Sequence, residues 1–358
     1  MIRAYLELFA GGAACALALM GGASVVPPVG YMGGKRRLAP NILGAAGLRV
    51  GGRAERVLLC DAGLWGEVWS EVVRDAPGLA ARLIAWEGRD PSELWRSLAM
   101  APRPEDPQER AAAYLWLQGR AASCTPVWWD TDGHASMARS ASSGGGEQRI
   151  VDRLAAGQAS PPQCVLKPVA EKGRIVMPSN GARGPGVIGA HEPDRLVMPD
   201  KPGTTGDAVQ RSTGSRSATS GIARPSTVAL RILAAGRALA GARIDRQHPT
   251  AIEVSIWLGT PGDLSGVVVM LDPPYVGATR YEATCPREDV VALAYSYRAC
   301  GATVIVCEAE ALPELLALGW HGLDLRDGQA GKPEWLTCSH PPHHLARPQL
   351  ALPLRRSA

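Results

Sequence analysis

The chain has 358 residues, 46% of them apolar and 20% charged. That is room for one large or two ordinary domains with a sizeable core, and it excludes a wholly disordered chain. Net charge is only +4, but residues 137–226 hold nine Arg and three Lys against seven acids, so the basic excess sits in one segment.

From the N-terminus, residues 2–10 predict a short buried strand (Ile2, Tyr5, Leu6, Leu8, Phe9) that runs into Gly11-Gly12. A helix of small residues over 13–20 follows. Arg3 and the Leu/Ala/Gly-rich run after it have the outline of a secretory leader, but Glu7 interrupts the run and four glycines dilute it. Eight scattered cysteines with no CxxC pair predict reduced thiols and a cytoplasmic protein. No run reaches the ~18 apolar residues of a membrane span.

A turn-rich stretch carries Gly30-Tyr31-Met32-Gly33-Gly34-Lys35. Val57 to Cys60 forms a compact apolar strand ending at Asp61. Asp90-Pro91-Ser92-Glu93 and Asp106-Pro107-Gln108-Glu109 each place an acid at a helix N-cap, Pro in the first turn and Glu three residues on. The second leads into a helix over 111–118.

Residues 137–226 contain no Phe, Trp or Tyr and are dense in Gly, Ser, Pro and Arg. Such a stretch builds little core of its own, and it is expected to be an irregular insertion. A short echo within it, Arg174 to Pro178 and Arg195 to Pro199, predicts two extended pieces separated by turns. Ser226 is the expected N-cap of a helix over 227–240. Then come a strand over 267–271, a helix over 287–300, a strand over 303–307, a helix over 312–318 and two strands over 320–325 and 334–338. Alternating strands and helices predict an α/β fold, a doubly wound, mostly parallel sheet. The last two strands, joined without a helix, predict an antiparallel edge hairpin. The chain thus reads as two halves, 1–136 and 227–345, around the insertion 137–226, with a basic tail over 346–358.

Ligands of such sheets bind at the carboxyl ends of strands, and three strand ends here carry unusual chemistry. Val267 to Leu271 is a fully apolar strand ending in Asp272-Pro273-Pro274-Tyr275. The two prolines fix φ and remove two N–H donors, which leaves the Asp272 carboxylate and the Pro273 carbonyl as acceptors without a competing donor. Tyr275 adds a flat stacking face. That set suits an exocyclic amine on a planar base; a buried turn with a capping Asp is the plain alternative. A second end is Glu7-Leu8-Phe9-Ala10-Gly11-Gly12-Ala13, which holds the only Phe of the chain. The third is Asp61, either an acceptor for ribose hydroxyls or a cap for the following turn; Asp61-Ala62-Gly63-Leu64-Trp65-Gly66 is itself Gly-spaced. Cys338 with His340, His343 and His344 lacks a second ligand pair at metal-site spacing, so no metal site is expected.

The string Asp272 to Tyr275 resembles the catalytic motif of amino-group DNA methyltransferases, and specifically that of the Dam-like adenine-N6 class; cytosine-N4 enzymes more often have Ser in the first position. Val276-Gly277-Ala278-Thr279-Arg280-Tyr281 is similar to phage-type members. Phe9 to Ala13 resembles the family's Phe-x-Gly-x-Gly cofactor motif, with Ala13 in place of the last Gly, and Tyr31 to Lys35 its Tyr/Trp-x-Gly-Gly-Lys element. In the family that element precedes the Phe-x-Gly loop; here it follows. The resemblance implies a Rossmann-like methyltransferase fold. It also implies S-adenosyl-L-methionine bound by Glu7, Phe9, Ala10, Gly11, Gly12, Asp61, Tyr31 and Lys35, with Asp272, Pro273, Pro274 and Tyr275 catalytic. DNA is the implied partner, and the target adenine is flipped out of the duplex. The basic insertion lies where the family's target-recognition region lies and is the expected DNA contact, with relaxed sequence specificity. Two alternatives are an RNA base-amine methyltransferase and a catalytically silent DNA-binding relative. Residues 7–13 are preferred as the cofactor loop because of Phe9, with 61–66 as the other choice.

Overall fold

The computed structural model describes residues 2–30, 34–121, 127–137, 224–275, 285–325 and 334–343 in full, with the backbone of 138, 147–149, 169–171, 174–177 and 186–189. The chain divides into two compact units, Met1–Pro161 with Ala223–Ala358, and Pro162–Ile222. In the first, β1 (Ile2–Leu8) leads through helices α1 (Ala14–Gly21) and α2 (Ala39–Ala45) to β2 (Ala54–Cys60). Helices α3 (Leu64–Ile84), α4 (Pro91–Met100) and α5 (Pro107–Arg120) follow. A small antiparallel sheet of β3 (Val127–Trp129), β4 (Ala135–Ala138) and β5 (Glu147–Arg149) comes next.

The second unit holds a separate antiparallel sheet of β6 (Val169–Glu171), β7 (Arg174–Met177) and β8 (Gly186–Gly189). Back in the first unit are α6 (Pro225–Ala238), β9 (Arg243–Asp245), α7 (Ala251–Trp257), β10 (Val267–Leu271), α8 (Arg287–Ala299), β11 (Thr303–Glu308), α9 (Pro313–Ala317), β12 (His321–Asp324) and β13 (Trp335–Cys338).

Among the described residues the main sheet has seven strands in the order β12-β13-β11-β10-β1-β2-β9. The pairs β11–β10, β10–β1, β1–β2 and β2–β9 are parallel, while β13 runs antiparallel to both β11 and β12. This is the doubly wound, Rossmann-like α/β sheet with an antiparallel edge hairpin that the alternating pattern predicts. The central strand β10 is apolar and buried throughout because both faces are covered. Along β1, Tyr5 enters the core shared with α1, α3, α5 and α6. Ala4, Leu6 and Leu8 enter the opposite core, with residues of α7 and α8, as the two-residue period of a strand requires. Helix α1, almost all Ala, Leu and Cys, is buried on nearly every side.

The Asp90 and Asp106 side chains cap α4 and α5, accepting from the backbone N–H of Glu93 and Glu109 respectively. Other boundaries move. Helix α6 begins at Pro225, with Arg224 rather than Ser226 as its cap residue; the Ser226 N–H donates to the Glu87 carboxylate instead, at 2.9 Å. The main unit reaches past residue 137, since β4 pairs with both β3 and β5. In the insertion, Arg174–Met177 is extended as expected but pairs with Val169–Glu171 and Gly186–Gly189. Residues 195–199 and the tail over 346–358 lie outside the described residues. The longest helix, α3, breaks at Asp75 (φ −158°, ψ 71°) ahead of Pro77. Pro77 removes an intrahelical donor, and Asp75 restarts the helix by accepting from the Gly78 N–H at 2.9 Å.

The exposed Asp90 cap gives a direct check on this reading. Asp90→Ala is expected to cost about 1 kcal/mol and Asp90→Asn only a fraction of that, as measured by thermal unfolding. Equal losses would mean that the cap hydrogen bonds are not what Asp90 contributes.

Candidate active site

An open parallel sheet forms its ligand crevice where strand order reverses, outside the carboxyl ends of the strands. The reversal falls at β1, with β2 and β9 on one side and β10 and β11 on the other. Leu8 is in register with both Leu271 and Cys60. Three strands therefore deliver Phe9, Asp61 and Asp272 to one edge, and the Asp272 N–H donates to the Leu8 carbonyl at 3.2 Å.

The loop after β1 is held in a conformation that L-residues resist. Phe9 (φ 59°), Gly11 (φ 46°) and Ala13 (φ 49°) are all left-handed, at a cost of roughly 1–2 kcal/mol for each of the two non-glycines. The surroundings hold it there. The Gly11 N–H donates to Asp61 Oδ2 at 2.8 Å, the Trp69 indole N–H to the Gly11 carbonyl at 2.7 Å, and the Ala10 N–H to the Cys60 carbonyl at 2.8 Å. Phe9 packs on His248, ring centroids 3.9 Å apart. His248 Nδ1 is buried with no hydrogen-bond partner among the described residues, and burial lowers this histidine below its ordinary pKa.

Asp61 spends both oxygens on backbone: Oδ2 on Gly11 and Oδ1 on the Gly63 N–H at 2.9 Å. Burial raises it, and the N–H groups of Gly11, Gly63 and Gly66 oppose that rise. A Cβ on Gly66 would lie 2.1 Å from the Asp61 carbonyl. The glycine spacing of 61–66 thus serves a tight strand-to-helix junction, and Asp61 clasps that junction to the β1 loop.

Glu7 is 2% exposed on β1. Its Oε2 accepts from the Ala16 N–H at 2.6 Å, at the N-terminus of α1, where a carboxylate meets the positive end of the helix. Burial still pushes Glu7 up to about 8, opposed by the Ala16 N–H and reinforced by Asp272.

On the other side of the switch point, Lys35 reaches Asp272 although it lies 237 positions earlier in the chain. Its Nζ is 2.7 Å from Asp272 Oδ1 and 3.4 Å from Glu334 Oε1. It also sits over the Tyr275 ring, 4.8 Å from the centroid, and is only 5% exposed. The Tyr275 hydroxyl donates to Glu334 Oε1. Burial works against the Lys35 charge, but Asp272 and Glu334 outweigh it and raise its pKa above the ordinary lysine value. Asp272 is pushed up to about 6 by burial, which Lys35 opposes and Glu334 reinforces. Glu308, at the end of β11 and 5% exposed, is pushed up to about 7 by burial. Asp272 Oδ2 meets no hydrogen-bond partner among the described residues.

Of the residues singled out from sequence, Glu7, Phe9, Ala10, Gly11, Gly12, Asp61, Lys35, Asp272, Pro273, Pro274 and Tyr275 all lie on this edge of the sheet or in the loops leaving it. Tyr31 and residues 276–281 lie outside the described residues. Glu334, Glu308 and His248 were not anticipated. Glu334 reaches the site only because β13 returns between β11 and β12, a pairing with no local motif to announce it. In the C-terminal Cys/His stretch, Cys338 is buried in the core and His340 pairs with Ser339 Oγ at 3.0 Å. No group of three or more potential metal ligands occurs among the described residues. No protein-family model matches this chain, and no curated protein does.

The raised acids set a pH dependence of stability. Glu7 near 8 and Glu308 near 7, against an ordinary 4.5, hold protons that the unfolded chain releases. Their stabilising contribution is fully present below about pH 4.5 and is lost as pH rises through 7 and 8. Glu7→Gln retains an acceptor for the Ala16 N–H and cannot ionise. Its unfolding free energy in urea should therefore decline less steeply than wild type between pH 5 and 8. Parallel profiles would show that Glu7 ionises at its ordinary pH.

Proposed function

We propose that the chain is an S-adenosylmethionine-dependent methyltransferase acting on the exocyclic N6 amine of adenine in DNA, in the cytoplasm. The observation that carries the reading is the Asp272 carboxylate at the switch point, with one oxygen pinned by buried Lys35 and the other without a hydrogen-bond partner among the described residues. An acceptor held in that way suits an amine donor presented by a flat base.

The edge also suits the methyl donor by charge. Asp272 and Glu334 flank one ammonium, Lys35, and two further acids, Glu7 and Glu308, are buried on the same sheet, so the site carries more acids than cations and favours a cationic ligand. S-adenosylmethionine is a sulfonium with an ammonium group, and when bound it supplies an electrophilic methyl group. Ala10 to Ala13, in the loop after β1, carry no side chain larger than a methyl. Phe9 and His248 offer flat faces beside that loop, and the unpartnered His248 Nδ1 offers an acceptor. Asp61 supports the loop through Gly11 and retains acceptor capacity for a ribose hydroxyl.

On the substrate side, Asp272 and the Pro273 carbonyl accept from the amine of a flipped-out adenine and Tyr275 stacks on its ring. Those contacts would hold the amine nitrogen toward the methyl group that bound S-adenosylmethionine would supply, with ionised Asp272 placed to take the proton the amine gives up, and alignment of two bound reactants would supply most of the rate. Lys35 keeps Asp272 ionised and oriented, and Glu334 orients the Tyr275 ring through its hydroxyl. Among the described residues no helix is long and apolar enough to cross a membrane.

Incubation with a mixed DNA pool, followed by nucleoside mass spectrometry, should yield N6-methyladenine; methylation confined to an RNA pool, or to cytosine, would overturn the reading. Asp272→Ala should lower kcat by about 100-fold or more while the protein still binds S-adenosylmethionine in calorimetry. Because Asp272 is the stronger acceptor when ionised and is pushed up to about 6, kcat/KM should fall as pH drops below about 6.

A further inference from the structure

Away from the Lys35–Asp272 centre, a second charged cluster gathers around one buried carboxylate. Glu67, in the first turn of α3 and 7% exposed, receives three guanidinium groups. Arg103 and Arg246 both meet Oε1, at 2.9 and 3.1 Å, and Arg110 meets Oε2 at 2.6 Å. These arginines come from three separate segments: the α4–α5 connection, α5 and the turn after β9. Three positive charges on one negative charge leave the cluster with net positive charge.

The three are not equivalent. Arg110 is mostly buried and structural, for its NH1 also donates to the carbonyls of Pro104 and Glu105. Arg103 and Arg246 are 42% and 54% exposed. Each spends a single guanidinium nitrogen on Glu67, and its other N–H donors meet no partner among the described residues. A pair of half-exposed guanidiniums, fixed by a shared buried carboxylate and with donors to spare, has the fork geometry that recognises a phosphate.

We propose that Arg103 and Arg246, organised by Glu67, bind a backbone phosphate of the nucleic-acid substrate; this rests on the methyltransferase reading above. The position agrees. Glu67 follows the carboxyl end of β2 and Arg246 that of β9, the same edge that carries Asp272. From β9 to β10 is three strand spacings, about 14 Å, or about four base-pair rises. A phosphate within a few nucleotides of the target base therefore falls within reach. Glu67, Arg103, Arg110 and Arg246 all belong to the unit of Met1–Pro161 with Ala223–Ala358, which also carries Asp272.

The test is binding of a duplex oligonucleotide by full-length protein, followed by fluorescence anisotropy across a salt series with S-adenosylmethionine present. Arg103→Gln with Arg246→Gln should weaken binding at low salt and reduce the slope of log K against log salt by about 1 to 2. Arg82→Gln, which removes an exposed arginine paired with Asp106 outside the cluster, should leave the slope unchanged. Glu67→Gln removes the one negative charge and should leave the slope intact or steeper. An unchanged slope in the double variant, with wild-type DNA binding strong, would overturn the proposal and reduce the cluster to a salt-bridge knot that affects melting temperature alone. No DNA binding by the wild-type protein would instead overturn the DNA reading on which it rests.

Discussion

Everything at the functional edge depends on one buried ion pair, Lys35 with Asp272. Moving either charge out of water costs several kcal/mol, and the pair is tolerated only because each ion compensates the other. Glu334 and the face of Tyr275 also meet the lysine. The consequence is orientation. A free aspartate at a strand end would sample rotamers in solvent, whereas here one oxygen is committed at 2.7 Å and the other is left over. The same lysine explains why Asp272, though pushed up by burial, stays near 6 while Glu7, which has no cationic partner, rises to about 8.

Much of the fold was legible because its signals are local. The five apolar residues of β10 and the Asp-Pro starts of α4 and α5 each announce themselves within a few residues, and the two closing strands within twenty. The site was legible at the strand ends for the same reason. What could not be read depends on sequence-distant partners. Glu334 is an ordinary acid beside a tryptophan until β13 returns beside β11, and His248 is unremarkable until its ring meets Phe9. Helix α3 was not anticipated, although its break carries a local signal, Asp75 two residues before Pro77. Ser226 had the right side chain for a cap, but Pro225 starts the helix one residue earlier.

Lys35 follows the β1 loop in the chain, the reverse of the order in the family that the motifs resemble, and still reaches Asp272 at 2.7 Å. Ala13 in place of glycine is a different kind of departure. Left-handed alanine costs roughly 1–2 kcal/mol, and burying its methyl returns only about 0.8 kcal/mol. The balance must come from the contacts that hold the loop, above all Asp61 on Gly11 and Trp69 on the Gly11 carbonyl. Asp61 therefore has a structural role whatever it also offers to a ligand.

Charge is distributed along this edge in a way that sorts a nucleotide into its parts. The centre, from β1 to β13, pairs two carboxylates, Asp272 and Glu334, with one lysine, and so disfavours phosphate. The flank, at β2 and β9, carries three arginines on a single glutamate. Under the proposed function the anionic backbone is held at the flank and kept from the centre, where only the uncharged base can enter. The same field draws a sulfonium inward. One strand order thus places opposite electrostatic demands a few strand widths apart, and no residue has to satisfy both.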